Sequence, residues 1–284
     1  MFERDFSIRF REEGLTPSLT ADFREFVFSY YETFGRHDME WRHTRDPYLI
    51  TVSEVMLQQT QVSRVSQIYP GFIKRFPTAD VLADASDAAV LEAWQGMGYN
   101  RRALYLKKLC QAVVESGGFP RTPAELLQLP GIGKATSCSI AAFAYNADVV
   151  FIETNIRRVF IYFFFRGKDT VDDAEIFPLV EATLPKGRSR EWYWALMDLG
   201  TDLKKSVSNP NRKSRQYVKQ SAFKGSKRQV RGAVLKEMLS RTSASAAELS
   251  AVLGCAETTV SAVLQEMERE GFFVSEDGVF QIIR

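Results

Sequence analysis

The chain has 284 residues, 45% of them hydrophobic and 25% charged, with a formal net charge of +2. The composition is typical of a globular protein, and the length suffices for one large domain or two modest ones. No apolar run reaches the length of a membrane span, and the N-terminus carries no signal-peptide core. We therefore expect a cytoplasmic protein with no membrane partner.

The residue counts argue against metal chemistry. The three cysteines lie far apart and form no CxxC pair, and there are only two histidines. Disulfide frameworks, zinc sites and iron–sulfur clusters need such residues at short spacings. The sequence therefore predicts neither a metal site nor a disulfide framework.

Helical patterns dominate the first 202 residues. Thr20 is typical of an N-cap and begins an apolar stripe that ends at Gly35, and Asp46 followed by Pro47 marks another start. Strand-like alternation is nearly absent. We therefore predict an all-α domain over residues 1–202. Later helices are predicted to start near Ser63, Asp87, Arg101, Thr122, Gly133, Asn155, Asp172 and Ser189.

Residues 203–227 break this pattern, because Pro, Ser, Asn and Lys accumulate there, and we predict a linker. Between Leu203 and Arg231 the chain carries ten basic residues and no acidic one. This basic run is interpreted either as a stripe that binds a polyanion or as a solvated linker, and its charge alone does not separate the two.

Residues 228–284 predict a second, small domain. Three helices, at 228–241, 245–253 and 257–270, precede a segment that alternates around Asp277-Gly278, a strong hairpin signal. This order is typical of a winged helix-turn-helix, an α+β fold that binds DNA or serves as a packing module. The third helix carries four glutamates against one arginine, which favours packing for that helix.

The segment LPGIGKAT, residues 129–136, places two glycines one residue apart between two predicted helices. Such a hairpin lets bare backbone amides and a helix N-terminus approach a phosphate closely. It is interpreted as a helix-hairpin-helix clamp on a DNA backbone, with a plain glycine-rich turn as the alternative. The candidate backbone contacts are Leu129, Gly131, Gly133, Lys134 and Thr136.

With this hairpin, a series of motifs between about residues 25 and 200 resembles the helix-hairpin-helix DNA glycosylase superfamily, and specifically its adenine DNA glycosylases. The resemblance implies the helix-hairpin-helix glycosylase fold, and the block around Glu54 points to the adenine branch. The matching stretches are WR at 41–42, DPY at 46–48, SEVMLQQTQV at 53–62, FPT at 76–78, WQGMGY at 94–99, LPGIGKAT, NIRRV at 155–159 and MDLG at 197–200.

In that family the glutamate of the SEVMLQQT block, here Glu54, is the catalytic acid. Cleavage of the bond between adenine and deoxyribose needs a proton on the leaving base, and an apolar pocket raises the pKa of a carboxyl so that it holds one. The apolar neighbours Val55 and Met56 suit such a pocket. If Glu54 only made a surface ion pair along the helix, a cation would be expected at i+4, but this chain has Gln58 there.

The family places an aspartate two residues before the asparagine of the NIRRV motif, under the oxocarbenium-like sugar. This chain has Glu153 there, with the same charge and about 1.5 Å more reach. The resemblance implies that Glu153 and Asn155 are catalytic, although the longer side chain is also compatible with a changed substrate or slower chemistry. Related lyases have a lysine where this chain has Ala135, so base release without strand cleavage is expected.

Two further sets of family positions are matched, and packing is the alternative role for each. The residues that family members insert into the base stack when the target base flips out are here Gln59, Thr60 and Tyr99. The residues around the base pocket are here Trp41, Arg42, Leu57 and Asp198.

The chain departs from the family pattern in two whole segments. Most relatives follow the MDLG motif with four cysteines that bind an iron–sulfur cluster, but here Lys204, Arg212, Arg215 and Ser221 stand near those places, so no cluster is expected. The basic run replaces that loop, which favours DNA binding by Lys204, Lys205, Arg212 and Arg215. Many adenine glycosylases also carry a hydrolase-like C-terminal domain, where this chain has the predicted winged helix.

The sequence thus predicts a monofunctional glycosylase of base excision repair that removes adenine mispaired with guanine or 8-oxoguanine. The expected partner is double-stranded DNA with a mispaired or oxidised base, bound by a monomer, on the nucleoid if the source is prokaryotic. Two alternatives stay open. One is a mismatch thymine or uracil glycosylase of the same superfamily, and the other is a catalytically weakened DNA-binding paralogue.

Overall fold

The computed structural model describes residues 4–219 and 225–283. These residues are mainly helical, and the strands lie near the C-terminus. The helices are α1 Ser7–Glu13, α2 Pro17–Phe34, α3 Pro47–Leu57, α4 Val62–Arg75, α5 Ala79–Asp84, α6 Asp87–Ala93, α7 Arg101–Glu115, α8 Pro123–Leu126, α9 Lys134–Tyr145, α10 Thr154–Phe164, α11 Asp173–Thr183, α12 Ser189–Ser206, α13 Lys227–Leu239, α14 Ala246–Leu253 and α15 Glu257–Arg269. The strands are β1 Ala244–Ser245, β2 Phe273–Glu276 and β3 Val279–Ile282. In this part of the chain no helix is both long enough and apolar enough to cross a membrane.

The start of α2 differs from the prediction. Thr16 is the N-cap and accepts a hydrogen bond from the backbone amide of Leu19 at 3.2 Å, with Pro17 at the first helical position. The predicted N-cap, Thr20, lies within the helix and donates to the carbonyl of Pro17. Both threonines are good capping residues, and the proline decides between them because its fixed φ suits the first helical turn.

The described residues form two compact units. The first unit holds residues from 1–50, 121–128 and 132–219, and the second holds residues from 51–120, 129–131 and 220–284. The backbone passes from one unit to the other several times, so this partition differs from the predicted division at residues 202 and 227. That division stays a prediction about domains, although its first boundary falls inside α12, which continues to Ser206.

Aromatic packing builds the core of the first unit. Helix α10 packs against α12, and α12 against α2. The ring of Phe23 lies 4.9 Å from that of Phe164 and 6.0 Å from that of Trp192, in edge-on arrangements. Such pairs add about 0.5–1.5 kcal/mol each beyond the burial of the rings. This rigid core fixes the N-terminal end of α10, where Glu153 and Asn155 lie.

The described part of the predicted linker is packed in the first unit. Pro210 and Asn211 form part of a 3-10 turn and are buried. The backbone of Val171 accepts a hydrogen bond from Arg215 and donates one to Lys213. Up to residue 219 the connection beyond α12 is therefore irregular but ordered by hydrogen bonds between distant segments, and its role as a linker stays a prediction. Ser221 and Lys224 lie outside the described residues.

The C-terminal part of the second unit confirms the predicted winged-helix arrangement. Helices α13 and α14 pack against α15, and the strands form one antiparallel sheet in the order β1-β3-β2. Asp277 and Gly278 both have positive φ, 50° and 79°, as the predicted hairpin turn requires. The short strand β1 was not predicted, because two residues carry no alternation signal. Helix α13 also contacts α6 in the same unit.

Candidate active site and nucleic-acid interface

Glu54 lies in the last turn of α3 and is partly buried. Its sequence neighbours Ser53, Val55 and Met56 are all buried. Successive side chains on a helix point about 100° apart, so these neighbours face the core while Glu54 shares a less buried face with Gln58 at i+4. Glu54 is thus neither fully exposed to bulk water nor sealed in the core.

Glu153 is the N-cap of α10. Its Oε1 accepts hydrogen bonds from the backbone amides of Asn155, at 2.6 Å, and Ile156, at 2.8 Å. In the described part of the chain its Oε2 accepts one longer hydrogen bond, from Nδ2 of Asn155 at 3.3 Å. Burial raises the pKa of Glu153 above its usual value, and the helix amides and the nearby Arg158 oppose this only in part. The predicted helix start at Asn155 is therefore capped by Glu153, two residues earlier.

The Asn155 side chain is held in place by Arg158. Nη1 of Arg158, which is 3% exposed, donates to Oδ1 of Asn155 at 2.7 Å and to the carbonyl of Gly200 at 2.6 Å. A Cβ on Gly200 would lie 2.5 Å from the carbonyl oxygen of Asn155. The glycine of the MDLG motif is thus required because α10 and α12 approach too closely there for any side chain.

Arg42 and Asp198, both predicted around the base pocket, form an ion pair in the first unit. Arg42 donates two hydrogen bonds of 2.8 Å to the carboxylate, and the backbone and side chain of Arg36 donate to it as well. Burial alone would raise the pKa of Asp198, but these hydrogen bonds and charges outweigh it and hold the pKa below its usual value. Asp198 is 1% exposed. Two arginines thus hold the carboxylate in place, and a contact between Asp198 and a base remains a prediction.

The other two residues predicted around the base pocket lie in different units. Trp41 is buried in a 3-10 turn of the first unit. Leu57 ends α3 in the second unit and is partly buried. Their contact with a base stays a prediction.

Gln59 and Tyr99 share a strained backbone conformation. Among the described residues, the non-glycine residues with positive φ are Gln59 (53°), Tyr99 (49°), Asn146 and Asp277. Asn and Asp adopt this region comparatively often, whereas a glutamine or a tyrosine there carries a strain of about 1–3 kcal/mol. Such strain is typical of functional sites, and it falls on two of the three residues predicted to enter the base stack.

Arg102, which the sequence analysis missed, joins the two loops that carry these residues. Its burial lowers its pKa to about 10. Its donors reach the carbonyls of Val55 (2.7 Å), Met56 (3.0 Å), Gln58 (2.5 Å) and Gly98 (3.1 Å), and Oγ1 of Thr60 (3.0 Å). A single guanidinium therefore closes the C-terminal end of α3 and fixes the loop of Tyr99. The only sequence signal was an arginine three residues after the WQGMGY motif.

The predicted helix-hairpin-helix is present. A capping box of Thr122 and Glu125 begins α8, and Gly133 is the N-cap of α9, which has no side-chain cap. Gly131 has a φ of 78°, and a Cβ there would lie 2.8 Å from the Cβ of Tyr105. Only glycine satisfies both conditions, so the hairpin depends on it.

The predicted hairpin contacts differ in exposure. Leu129 is buried and Thr136 is partly buried, so these two anchor the turn. Gly131, Gly133 and Lys134 are exposed. The first amides of a helix have no partner within it, and the uncapped start of α9 therefore presents donors suited to an anion.

The basic run is not one uniform stripe. Lys204, Lys205, Arg212 and Arg215 are exposed, and their surface ion pairs are weak, Arg215 lying 3.8 Å from Asp172. Near the C-terminal end of the run, Lys227 pairs with Glu266 of α15, and Arg231 pairs with Glu266 and with Glu270 just after it. Nearby carboxylates therefore partly neutralise these two charges.

The predicted site residues fall into two groups, one in each compact unit. In the first unit are Trp41, Arg42, Gly133, Lys134, Thr136, Glu153, Asn155, Asp198, Lys204, Lys205, Arg212 and Arg215. In the second are Glu54, Leu57, Gln59, Thr60, Tyr99, Leu129 and Gly131. Within the first unit, hydrogen bonds join Glu153 to Asn155 and Arg42 to Asp198.

The fold and these motifs agree with a known family. The family described as the HhH-GPD superfamily base excision DNA repair protein matches residues 52–177, from α3 into α11. Together with the similarities that follow, this match supports the HhH-GPD glycosylase superfamily for this part of the chain.

Several relatives within that superfamily are similar to the chain. An adenine DNA glycosylase of Mycolicibacterium smegmatis is 40% identical over 61% of the chain and 60% of the relative. An adenine DNA glycosylase of Buchnera aphidicola is 35% identical over 64% of the chain and 52% of the relative. The chain thus spans between half and two thirds of these relatives. The solved structure of a thermostable thymine-DNA glycosylase matches 64% of the chain with a TM-score of 0.56 and 26% identity.

Proposed function

We propose that the chain is a DNA glycosylase of base excision repair that removes adenine mispaired with guanine or 8-oxoguanine. The observation that carries the proposal is Glu54, partly buried at the end of α3 within the SEVMLQQT block. The similarity to adenine DNA glycosylases over more than half of the chain supports the choice of base.

In the proposed reaction, Glu54 gives its proton to N7 of adenine, and the bond between N9 and C1′ breaks with its electrons going to the base. Water then adds to C1′ and loses a proton. Glu153 steadies the positive sugar as an anion, and its Oε2 suits this task because the helix amides occupy only Oε1. Arg158 holds the Asn155 side chain for its hydrogen bond near the reacting groups.

The product of this reaction is an abasic site in an intact strand. A lyase needs an amine within reach of C1′ to form a Schiff base. Ala135 stands where related lyases have that lysine. The neighbouring Lys134 points about 100° away around α9, so it does not replace the missing amine.

The proposal includes no iron–sulfur cluster and a monomer acting on double-stranded DNA. Support for the first point comes from the sequence, which has no cysteine between Cys138 and Cys255. Iron analysis and the visible absorption of the purified protein test it. Sedimentation of the complex with a duplex tests the second.

A second candidate is a glycosylase that removes thymine or uracil mispaired with guanine. The similarity to a thymine-DNA glycosylase favours it, as does Glu153 in place of the family's aspartate. Neither observation requires a base other than adenine, because Glu153 keeps the negative charge of the family's aspartate.

Single-turnover assays on four duplexes separate these candidates: A opposite 8-oxoguanine, A opposite guanine, T opposite guanine, and U opposite guanine. We expect adenine release, seen as alkali-labile sites, and a loss of at least about 100-fold in Glu54→Gln, because Gln cannot donate the proton. Glu115→Gln, an exposed glutamate at the end of α7, is the matched control and should retain full activity.

Release of thymine or uracil without release of adenine would favour the second candidate over the proposed adenine glycosylase. Binding of mispaired DNA without release of any base would indicate the catalytically weakened paralogue.

A further inference from the structure

Tyr99 is held by a residue of the C-terminal winged helix. Nη1 of Arg228, in the first turn of α13, donates a hydrogen bond of 2.6 Å to Oη of Tyr99. The same guanidinium lies 5.5 Å from the centre of the tyrosine ring, within cation–π range. Tyr99 as a whole residue is 36% exposed. Arg228 thus contacts both the hydroxyl and the ring of Tyr99, and Arg102 also lies 5.5 Å from the ring centre.

This contact lies in a cleft of about 970 Å³. The loops of Gln59 and Tyr99 line the cleft together with α13. Five of the residues that line it have carboxamide side chains, which can both donate and accept hydrogen bonds, as the edge of a nucleobase requires. They belong to Gln58, Gln59, Gln61, Gln95 and Asn100.

The remaining basic residues at the start of α13 have other partners. Lys227 pairs with Glu266, and Arg231 pairs with both Glu266 and Glu270. Those three pairs lie within the C-terminal domain and attach α13 to α15. Arg228 instead reaches out of the domain to Tyr99, while α13 also packs on α6. The domain is therefore fixed beside Tyr99 by more than one contact.

We propose that Arg228 is a positioning residue for Tyr99, and that through it the C-terminal domain takes part in extruding the target base. The inference rests on the proposed role of Tyr99 in the base stack. A side chain that is already oriented loses less conformational freedom when it enters the base stack. The strained φ of Tyr99 and the hydrogen bond at its tip act together to hold one orientation.

A double-mutant cycle tests the proposal in the full-length protein. The probe is a duplex with 2-aminopurine at the target position opposite 8-oxoguanine, whose fluorescence rises on extrusion. The variants are Arg228→Ala, Arg228→Lys, Tyr99→Phe and the double variant Arg228→Ala with Tyr99→Phe. Arg241→Ala is the matched control, because it removes an arginine of the same helical segment whose ion pair, in the described part of the chain, is with Glu237.

We expect Arg228→Ala to slow extrusion by about tenfold, the effect of one charge-assisted hydrogen bond. Arg228→Lys should recover part of the rate, because the ammonium still donates to the hydroxyl. In the Tyr99→Phe background the effect of Arg228→Ala should shrink clearly below tenfold, since the two groups act as a pair. Thermal unfolding of each variant establishes that the fold is intact.

Additive effects in the cycle, or an Arg228→Ala variant that behaves like Arg241→Ala, would overturn the inference. If Arg228→Ala does not fold, Arg228→Lys in the two backgrounds provides the same comparison. A parent protein that extrudes or releases no base would overturn the proposed function, and this inference with it. If the parent is active but Arg228→Ala has no effect on extrusion, this inference is overturned and the proposed function is not.

Discussion

Glu153 combines a proposed catalytic role with an observed structural one. The additional methylene lets the carboxylate turn back and cap α10 with one oxygen, a role usually taken by the shorter Asp, Asn, Ser or Thr. The other oxygen keeps a single longer hydrogen bond. The anion is thereby anchored to a rigid helix in the first unit, and its position does not depend on the flexibility of a glutamate side chain.

The raised pKa of Glu153 predicts a pH-dependent stability. A carboxyl whose pKa is raised by folding stabilises the native state fully below the unfolded value, near 4.5, and this contribution is lost as the pH rises through the folded pKa. Glu153→Gln cannot ionise. Relative to this variant, the parent should lose stability above about pH 4.5, by at most about 1.4 kcal/mol per pH unit.

Thermal unfolding of the two proteins between pH 4 and pH 8 measures this difference. The difference should level off once the pH exceeds the folded pKa of Glu153. A constant difference over the whole range would mean that folding does not raise this pKa.

Arg102 predicts a large effect from a residue that no motif singled out. Arg102→Ala leaves three backbone carbonyls at the end of α3 without their donor, and we expect a loss of about 2–4 kcal/mol in the free energy of unfolding. Arg101→Ala is the matched control, since the exposed Arg101 contacts only the ring and hydroxyl of Tyr105 in the described part of the chain. Urea unfolding measures both. Equal, small losses would show that Arg102 does not join the two loops.

At the scale of elements, the helix-hairpin-helix is specified by two glycines with different tasks. Gly131 needs a positive φ and has the side chain of Tyr105 against it, whereas Gly133 has an extended backbone and open space around it. The first glycine makes the turn possible. The second keeps the start of α9 accessible to an anion.

The two glycines should therefore respond differently to alanine. Gly131→Ala combines a left-handed backbone with a contact of 2.8 Å to the Cβ of Tyr105, so we expect a loss of about 2–4 kcal/mol of stability. Gly133→Ala should cost less than about 1 kcal/mol, because it changes only the N-cap. Chemical unfolding compares the two. A Gly131→Ala protein as stable as the parent would contradict the hairpin geometry.

At the scale of the whole molecule, the exposed part of the basic run dominates the proposed electrostatics of DNA binding. Lys204 and Arg212 are exposed, and α12 and the following turn hold them in the first unit. Each phosphate contact contributes about 0.9 to the slope of log K against log salt concentration. Replacing both by alanine should reduce this slope by about 2.

Salt titrations of binding to a mispaired duplex test this prediction. Arg75→Ala with Lys74→Ala, at the end of α4, removes the same charge elsewhere and serves as the control. If the control lowers the slope as much as the double variant does, overall charge and not the basic run determines binding.

The sequence by itself determined most of the helices, the hairpin at Asp277-Gly278 and the family. These depend on local signals: apolar spacing along a helix, N-caps, turn glycines and motifs of contiguous residues. For the same reason the sequence placed the start of α2 four residues late, because Thr16 and Thr20 gave the same local signal and only the proline distinguished them.

Only the tertiary structure decided what the charged residues do. The bonds of Arg102 to the end of α3, the pair of Arg42 with Asp198, and the link of Arg228 to Tyr99 all join residues more than 40 positions apart. A long side chain has no preferred partner in the sequence, because its partner is whichever acceptor the folded backbone brings within about 3 Å. The chemistry of these residues therefore follows from packing, which no local pattern records.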